Sequence, residues 1–222
     1  MLFFKKSPTI DSFRWDKEGW EVEGVKEGER KWKNAAGDLA VQTFGAQVPT
    51  GLPPDWRNAE ALRAHVLKSP PPHTAMVAVD VVRSGAGVMC AQYITKEFMR
   101  APSRGHVYMG MVSMPFREFY CNVYFVAMEQ GTTGLREVVL VAKGKVQMPK
   151  QEHVPVIRNN EELEAMYRQA REGRPKLLGT DDEQWDAQFP DHPVSRVRRY
   201  LRHFCATLQV DDNVRRFPPF GG

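Results

Sequence analysis

HVYMGMVSMP (His106–Pro115) and EFYCNVYFVAM (Glu118–Met128) are the two runs on which the fold turns. In a strand, alternate side chains point to opposite faces. In the first run Val107, Met109 and Met111 share one side, and Tyr108, Gly110 and Val112 the other. In the second, Phe119, Cys121, Val123 and Phe125 oppose Tyr120, Asn122, Tyr124 and Val126. Apolar residues therefore lie on both faces. Such a sheet is covered on both sides, or is covered on one and binds something on the other.

Upstream, HTAMVAVDVVR (His73–Arg83) and GVMCAQYITK (Gly87–Lys96) read as two more strands, with SGAG (Ser84–Gly87) as the tight turn joining them. All the connections are short, so the four strands form an antiparallel meander. Further out, GWEVEGVKEGERKWKN (Gly19–Asn34) has a hairpin pattern with its turn at KEGE, and GDLAVQTF (Gly37–Phe44) is the next strand. The proline-rich VPTGLPPDW leads into a helix over 57–68, with Leu62, His65 and Val66 on one face, and SPPPH stops it.

Three later segments have helical spacing: Leu135, Val138, Val139 and Ala142; then 161–172; then Val197, Tyr200, Leu201, Phe204 and Leu208. The expected fold class is α+β: a largely antiparallel, twisted sheet of about six to seven strands covered by helices on both faces, with a C-terminal helical addition. The expected division is a loose arm over 1–17, a sheet domain over 18–150, a helical extension over 151–210 packed on it, and a flexible tail over 211–222.

The composition excludes more than it assigns. With 222 residues, 42% of them hydrophobic, the chain can bury a sizeable core. A net charge of +4 permits acidic partners but is too diffuse for a dedicated nucleic-acid binder. No apolar run approaches the roughly 20 residues of a membrane span. MLFFKKSPTI lacks the order of a secretory leader, and three widely spaced cysteines do not make a disulfide framework, so a cytoplasmic location is expected. There is no C-x-x-C or H-E-x-x-H, so the spacing predicts no metal and no cofactor.

GTTG (Gly131–Gly134) lacks the lysine of a phosphate loop and reads as a helix start, capped by Thr132 or Thr133. APSRG (Ala101–Gly105) resembles a nucleophile elbow, but a strand follows it where a helix is required. No catalytic residue can be named. Two surfaces remain. One is the polar-tipped aromatic face of Tyr120, Asn122 and Tyr124, with Tyr108, His106 and Arg136 as candidate neighbours in a cleft. The other is the basic side of the last helix, where Arg196, Arg199 and Arg202 suit an acidic partner.

The order hairpin, strand, helix, four-strand meander, then GTTGLREVVL as a helix resembles the Mog1/PsbP-like group of α/β/α sandwiches, over about residues 18–145. The resemblance implies a non-enzymatic role: binding a partner protein, assisting assembly, or acting as an adaptor. No functional residue transfers with it, because it rests on element order. A cytoplasmic adaptor that binds a protein partner is the leading expectation. A small-molecule or enzymatic cleft beside the meander is the alternative, and weak nucleic-acid binding by the basic helix is the second alternative.

Overall fold

The computed structural model describes residues 7–47, 51–68, 73–99, 105–131, 134–147, 161, 177 and 179–221. The expected helix over 161–172, the APSRG loop and both threonines of GTTG lie outside these residues, apart from Glu161 and Gly105.

Seven strands form one antiparallel sheet: β2 (Trp20–Lys26), β3 (Glu29–Asn34), β4 (Leu39–Gly45), β5 (Thr74–Arg83), β6 (Met89–Phe98), β7 (His106–Pro115) and β8 (Tyr120–Met128). Their order is β2-β3-β4-β8-β7-β6-β5, so the meander and the early hairpin join through the β4–β8 pair. The hairpin turns at Gly28, whose φ of 67° is left-handed and suits glycine. The α-helices bounded within the described residues are α1 (Ala59–Lys68), α2 (Leu135–Ala142), α3 (Pro193–Thr207) and the short α4 (Asp212–Arg215).

Helix α3 lies across β7 and β8. Val197, Leu201, Phe204 and Leu208 enter the main core there, against Tyr108, Val112, Cys121, Val123 and Phe125. Gly110 sets how closely the helix approaches. A Cβ on it would sit 2.6 Å from Val197 Cγ1 and 2.9 Å from Leu201 Cδ1. Gly110→Ala is expected to cost about 1–3 kcal/mol by overpacking, read as a lower urea midpoint at unchanged m-value. The opposite face is covered differently. Helix α1 packs on edge strand β5, closing a smaller cluster of Trp56, Leu62, Val79, Ala91 and Tyr93. Helices thus lie on both faces of an α+β fold.

Three expectations need correction. Over its described residues, 7–17, the N-terminal arm is not loose: Phe13–Arg14 (β1) pairs with Gln209–Val210 (β9), and Ile10, Phe13 and Trp15 are buried. The aromatic residues there have no regular period, yet they fill the gap between the hairpin and α3. The tail is held too, since Val214 is buried and the Phe220 carbonyl accepts from Trp56 Nε1 at 2.9 Å.

Helix α2 also turns its expected face outward. Leu135 and Val138 are 55% and 66% exposed, while Arg136 and Leu140 are buried. The ion pair of Arg136 with Asp186 at 3.2 Å, and its bond to Ser195 Oγ at 2.9 Å, orient this helix in place of the apolar stripe.

Candidate functional site

Among the described residues, two of the recesses bring polar side chains together, one beside α1 and one at the ends of β8 and α3. The first is a groove of about 610 Å³ beside α1. Cross-strand register builds its floor, because directly opposed residues share a face. Tyr93 opposes Met111, which opposes Tyr124; Thr95 opposes Met109; Ser113 opposes Asn122. Leu52, Val66 and Met76 form the near wall. Tyr120 is seated by Gly45, since a Cβ there would fall 2.4 Å from the Tyr120 ring.

Asn122 Nδ2 donates to Tyr124 Oη at 3.3 Å, but Asn122 Oδ1 and Thr95 Oγ1 are buried without a hydrogen-bond partner. Burial pushes the Tyr93 phenol up to about 12 and raises Tyr124 as well. Both therefore stay neutral donors near pH 7. The floor is apolar, with a few polar tips.

The structure keeps Tyr120, Asn122 and Tyr124 together and separates Tyr108 and Arg136 from them. Tyr108 opposes Ala127 on the α3 face and is fully buried. Its hydroxyl donates to Asp181 Oδ1 at 2.6 Å, and the same carboxylate holds Lys96 Nζ at 3.1 Å. Arg136 lies 1% exposed beside Asp186, and Arg198 reaches the same Asp186 oxygen at 2.9 Å.

The basic helix is mostly self-engaged. Arg196 grips Asp38 through two bonds of 2.8 and 2.9 Å, and Tyr200 donates to the same carboxylate at 2.7 Å. Arg202 pairs with Glu183 at 2.7 Å, on the surface, and Arg199 bonds the Pro190 carbonyl. Arg196, expected on the basic side, is instead buried, and so is its neighbour Arg198.

The second recess, about 500 Å³, lies at the ends of β8 and α3 and is lined by Glu129, Arg136, Phe189, His192 and Arg196. At its base Glu129, Glu137 and His192 bring ligand-type atoms within 4.8 Å of one another. Glu129 is fixed by amide donors, His106 N at 2.8 Å and Gly134 N at 3.2 Å. Gly134, at the start of α2, thus donates its amide to the chain's own carboxylate.

Burial alone would raise the Glu129 pKa. The His106 imidazole and the two amides outweigh it and hold the carboxyl at about 2. Burial, then the Arg136 charge, depress His192 to about 4, so it is neutral at pH 7. The sequence hid this cluster because its members lie 8 and 55 positions apart. The only local sign was a histidine before the proline of a helix start.

No family model matches the sequence, and no curated protein matches it. Among solved structures the chain is similar to Mog1p, the Ran-binding protein of Saccharomyces cerevisiae. The identity is 11% and the TM-score 0.35, over 69% of this chain and 82% of that one. It is also similar to a protein of Bacteroides thetaiotaomicron VPI-5482 solved at 1.50 Å. There the identity is 9% and the TM-score 0.37, over 88% of this chain and 68% of that one. At these scores neither structure transfers a residue or a role. Among the described residues no helix is long and apolar enough to cross a membrane.

Proposed function

We propose that this chain is a non-enzymatic interaction module that takes an amphipathic helix of a partner protein into the groove beside α1. One observation carries the reading: α1 covers the edge at β5, while the half-buried row of Met109, Met111, Tyr120 and Tyr124 lies open beside it. The three strands β7, β8 and β4 span roughly 14 Å, and a helix with its side chains is about 10–12 Å across. Methionine and tyrosine suit such a seat, because one adapts its shape and the other adds a polar tip. Across the groove, Lys33 stands in register with Leu39 of β4 beside a Lys31 already paired with Glu29 at 3.4 Å, and Lys68 closes the near side. This rim favours acidic residues on the flanks of the incoming helix. The free thiols of Cys90, Cys121 and Cys205 agree with a reducing, cytoplasmic setting.

The test uses a labelled synthetic helix with leucine and methionine on one face and glutamates on its flanks. Fluorescence anisotropy should show saturable binding, and Met111→Lys should weaken it by about tenfold or more. Arg202→Ala, on the other side of the sheet, should leave it unchanged. Binding that persists in Met111→Lys, or no binding at all, overturns the reading. Binding that appears only after deletion of 151–176 would assign the groove to this chain's own segment, which also overturns it.

A second reading rests on Asn122 Oδ1 and Thr95 Oγ1, which lack donors in the groove floor. A small amphipathic molecule with a hydrogen-bond donor would satisfy them. Displacement of the helix probe by such a molecule at 1:1 stoichiometry would favour that alternative. The nucleic-acid reading has less support, because Arg196 is committed to Asp38 and Arg202 to Glu183.

A further inference from the structure

The geometry points to a divalent transition-metal site, of the kind that takes Zn²⁺, formed by Glu129, Glu137 and His192 at the base of the recess between β8, α2 and α3. Glu129 directly follows β8, Glu137 lies in α2 and His192 caps α3, and their ligand atoms lie within 4.8 Å of one another. Nitrogen and carboxylate oxygen together are a donor set for a first-row transition ion.

The unsatisfied atoms carry the inference. Both Glu137 oxygens are secluded from solvent and accept no hydrogen bond. Beside them the His192 side chain is 8% exposed, with its Nε2 unpartnered and aimed at Glu129 Oε1, 3.8 Å away. Native structures satisfy almost all such buried polar atoms, and a secluded, unpaired carboxylate is strongly disfavoured. Arg136, the adjacent cation, does not answer Glu137. Its guanidinium is spent on Asp186, Ser195 and the Asp182 carbonyl.

A shared proton would also neutralise the site, but it would draw two carboxylates to about 2.5–2.7 Å. No hydrogen bond joins Glu137 to Glu129 or to His192. A cation fits the wider spacing. With metal–ligand distances of about 2.0–2.2 Å, ligand atoms around a tetrahedral centre lie roughly 3.4 Å apart. The cluster would close by an ångström or so.

The surroundings are those of a supported centre. Glu129 is positioned by the amides of His106 and Gly134, and His106 Nδ1 stands 3.5 Å from Glu129 Oε2 as an outer partner. The His192 ring packs edge-on against Tyr108, with centroids 5.5 Å apart. Ligation through His192 Nε2 places the ring proton on Nδ1. The long 3.4 Å contact from Val194 N to Nδ1, which now caps α3, is then given up. The recess above gives the ion an entry path and room for a further ligand.

The test uses the full chain, stripped with a chelator, and ZnCl₂ alone as the probe. Calorimetric titration should show one saturable site per chain, and Co²⁺ in its place should give visible d–d absorption. Glu137→Gln and His192→Asn should each weaken Zn²⁺ binding by about tenfold or more. Glu183→Gln, a surface control, should not. Stability without metal separates a lost ligand from a lost fold. Metal-free Glu137→Gln should melt no lower than the parent, since it removes an unpaired buried charge, and Zn²⁺ should raise the melting temperature of the parent only. Absence of a saturable site in the parent, or full binding retained by both variants, overturns the proposal.

Discussion

Asp181→Ala should destabilise the chain by about 3–5 kcal/mol, because it leaves Lys96 charged and unpaired in the core. Lys96 Nζ lies 3.1 and 3.2 Å from the two Asp181 oxygens, with the lysine side chain wholly buried and the aspartate 5% exposed. Tyr108 Oη gives the same carboxylate a 2.6 Å bond and loses its acceptor as well. The ammonium cannot move to water, since Lys96 sits in β6, inside the sheet and beneath the 180–182 segment.

The double variant Asp181→Ala/Lys96→Met separates an orphaned charge from lost packing. It should recover most of the loss, because an apolar replacement of both partners is close to neutral. Urea unfolding followed by tryptophan fluorescence measures both. A loss under about 1 kcal/mol in Asp181→Ala would mean that water reaches Lys96 and that this segment does not seal the face.

Trp15→Ala should cost a similar amount, about 3–5 kcal/mol, as expected for a large aromatic removed from a packed core. Trp15 is 5% exposed, and its ring meets Trp20, Trp32, Phe125 and Phe204 at centroid distances of 5.6 to 6.1 Å. It joins three parts of the fold: the hairpin, the central strand β8 and helix α3. Leu135→Ala, at an exposed position, should stay within about 0.5 kcal/mol. Equal and small effects from both would restore the expectation of a loose N-terminal arm.

Much of the sheet was legible because strand alternation is a local property. The meander from Thr74 to Met128 needed only period-two patterning and short turns, and the α3 stripe of Val197, Leu201 and Phe204 needed only helical spacing. The same patterning placed Tyr120, Asn122 and Tyr124 on one face, and the groove lies there. Tyr108 could have been assigned away from them by counting along β7, given the register of β7 against β8. That register is a pairing between strands and is not written in either one alone. Arg136 was harder. A helical stripe predicts which side is buried only when apolar contacts decide, and in α2 an ion pair decided.

Residue types and their spacing determined the antiparallel meander, the two apolar faces and the helix that covers one of them. Only the tertiary structure decided that a groove lies beside α1 and that Phe13 and Trp15 complete the core. It alone brought Glu129, Glu137 and His192 to one point. Periodicity reports what a segment does to its own neighbours within a turn or a strand. Buried charges and metal-ligand sets depend on contacts between segments far apart in the chain, and these exist only after the sheet has closed.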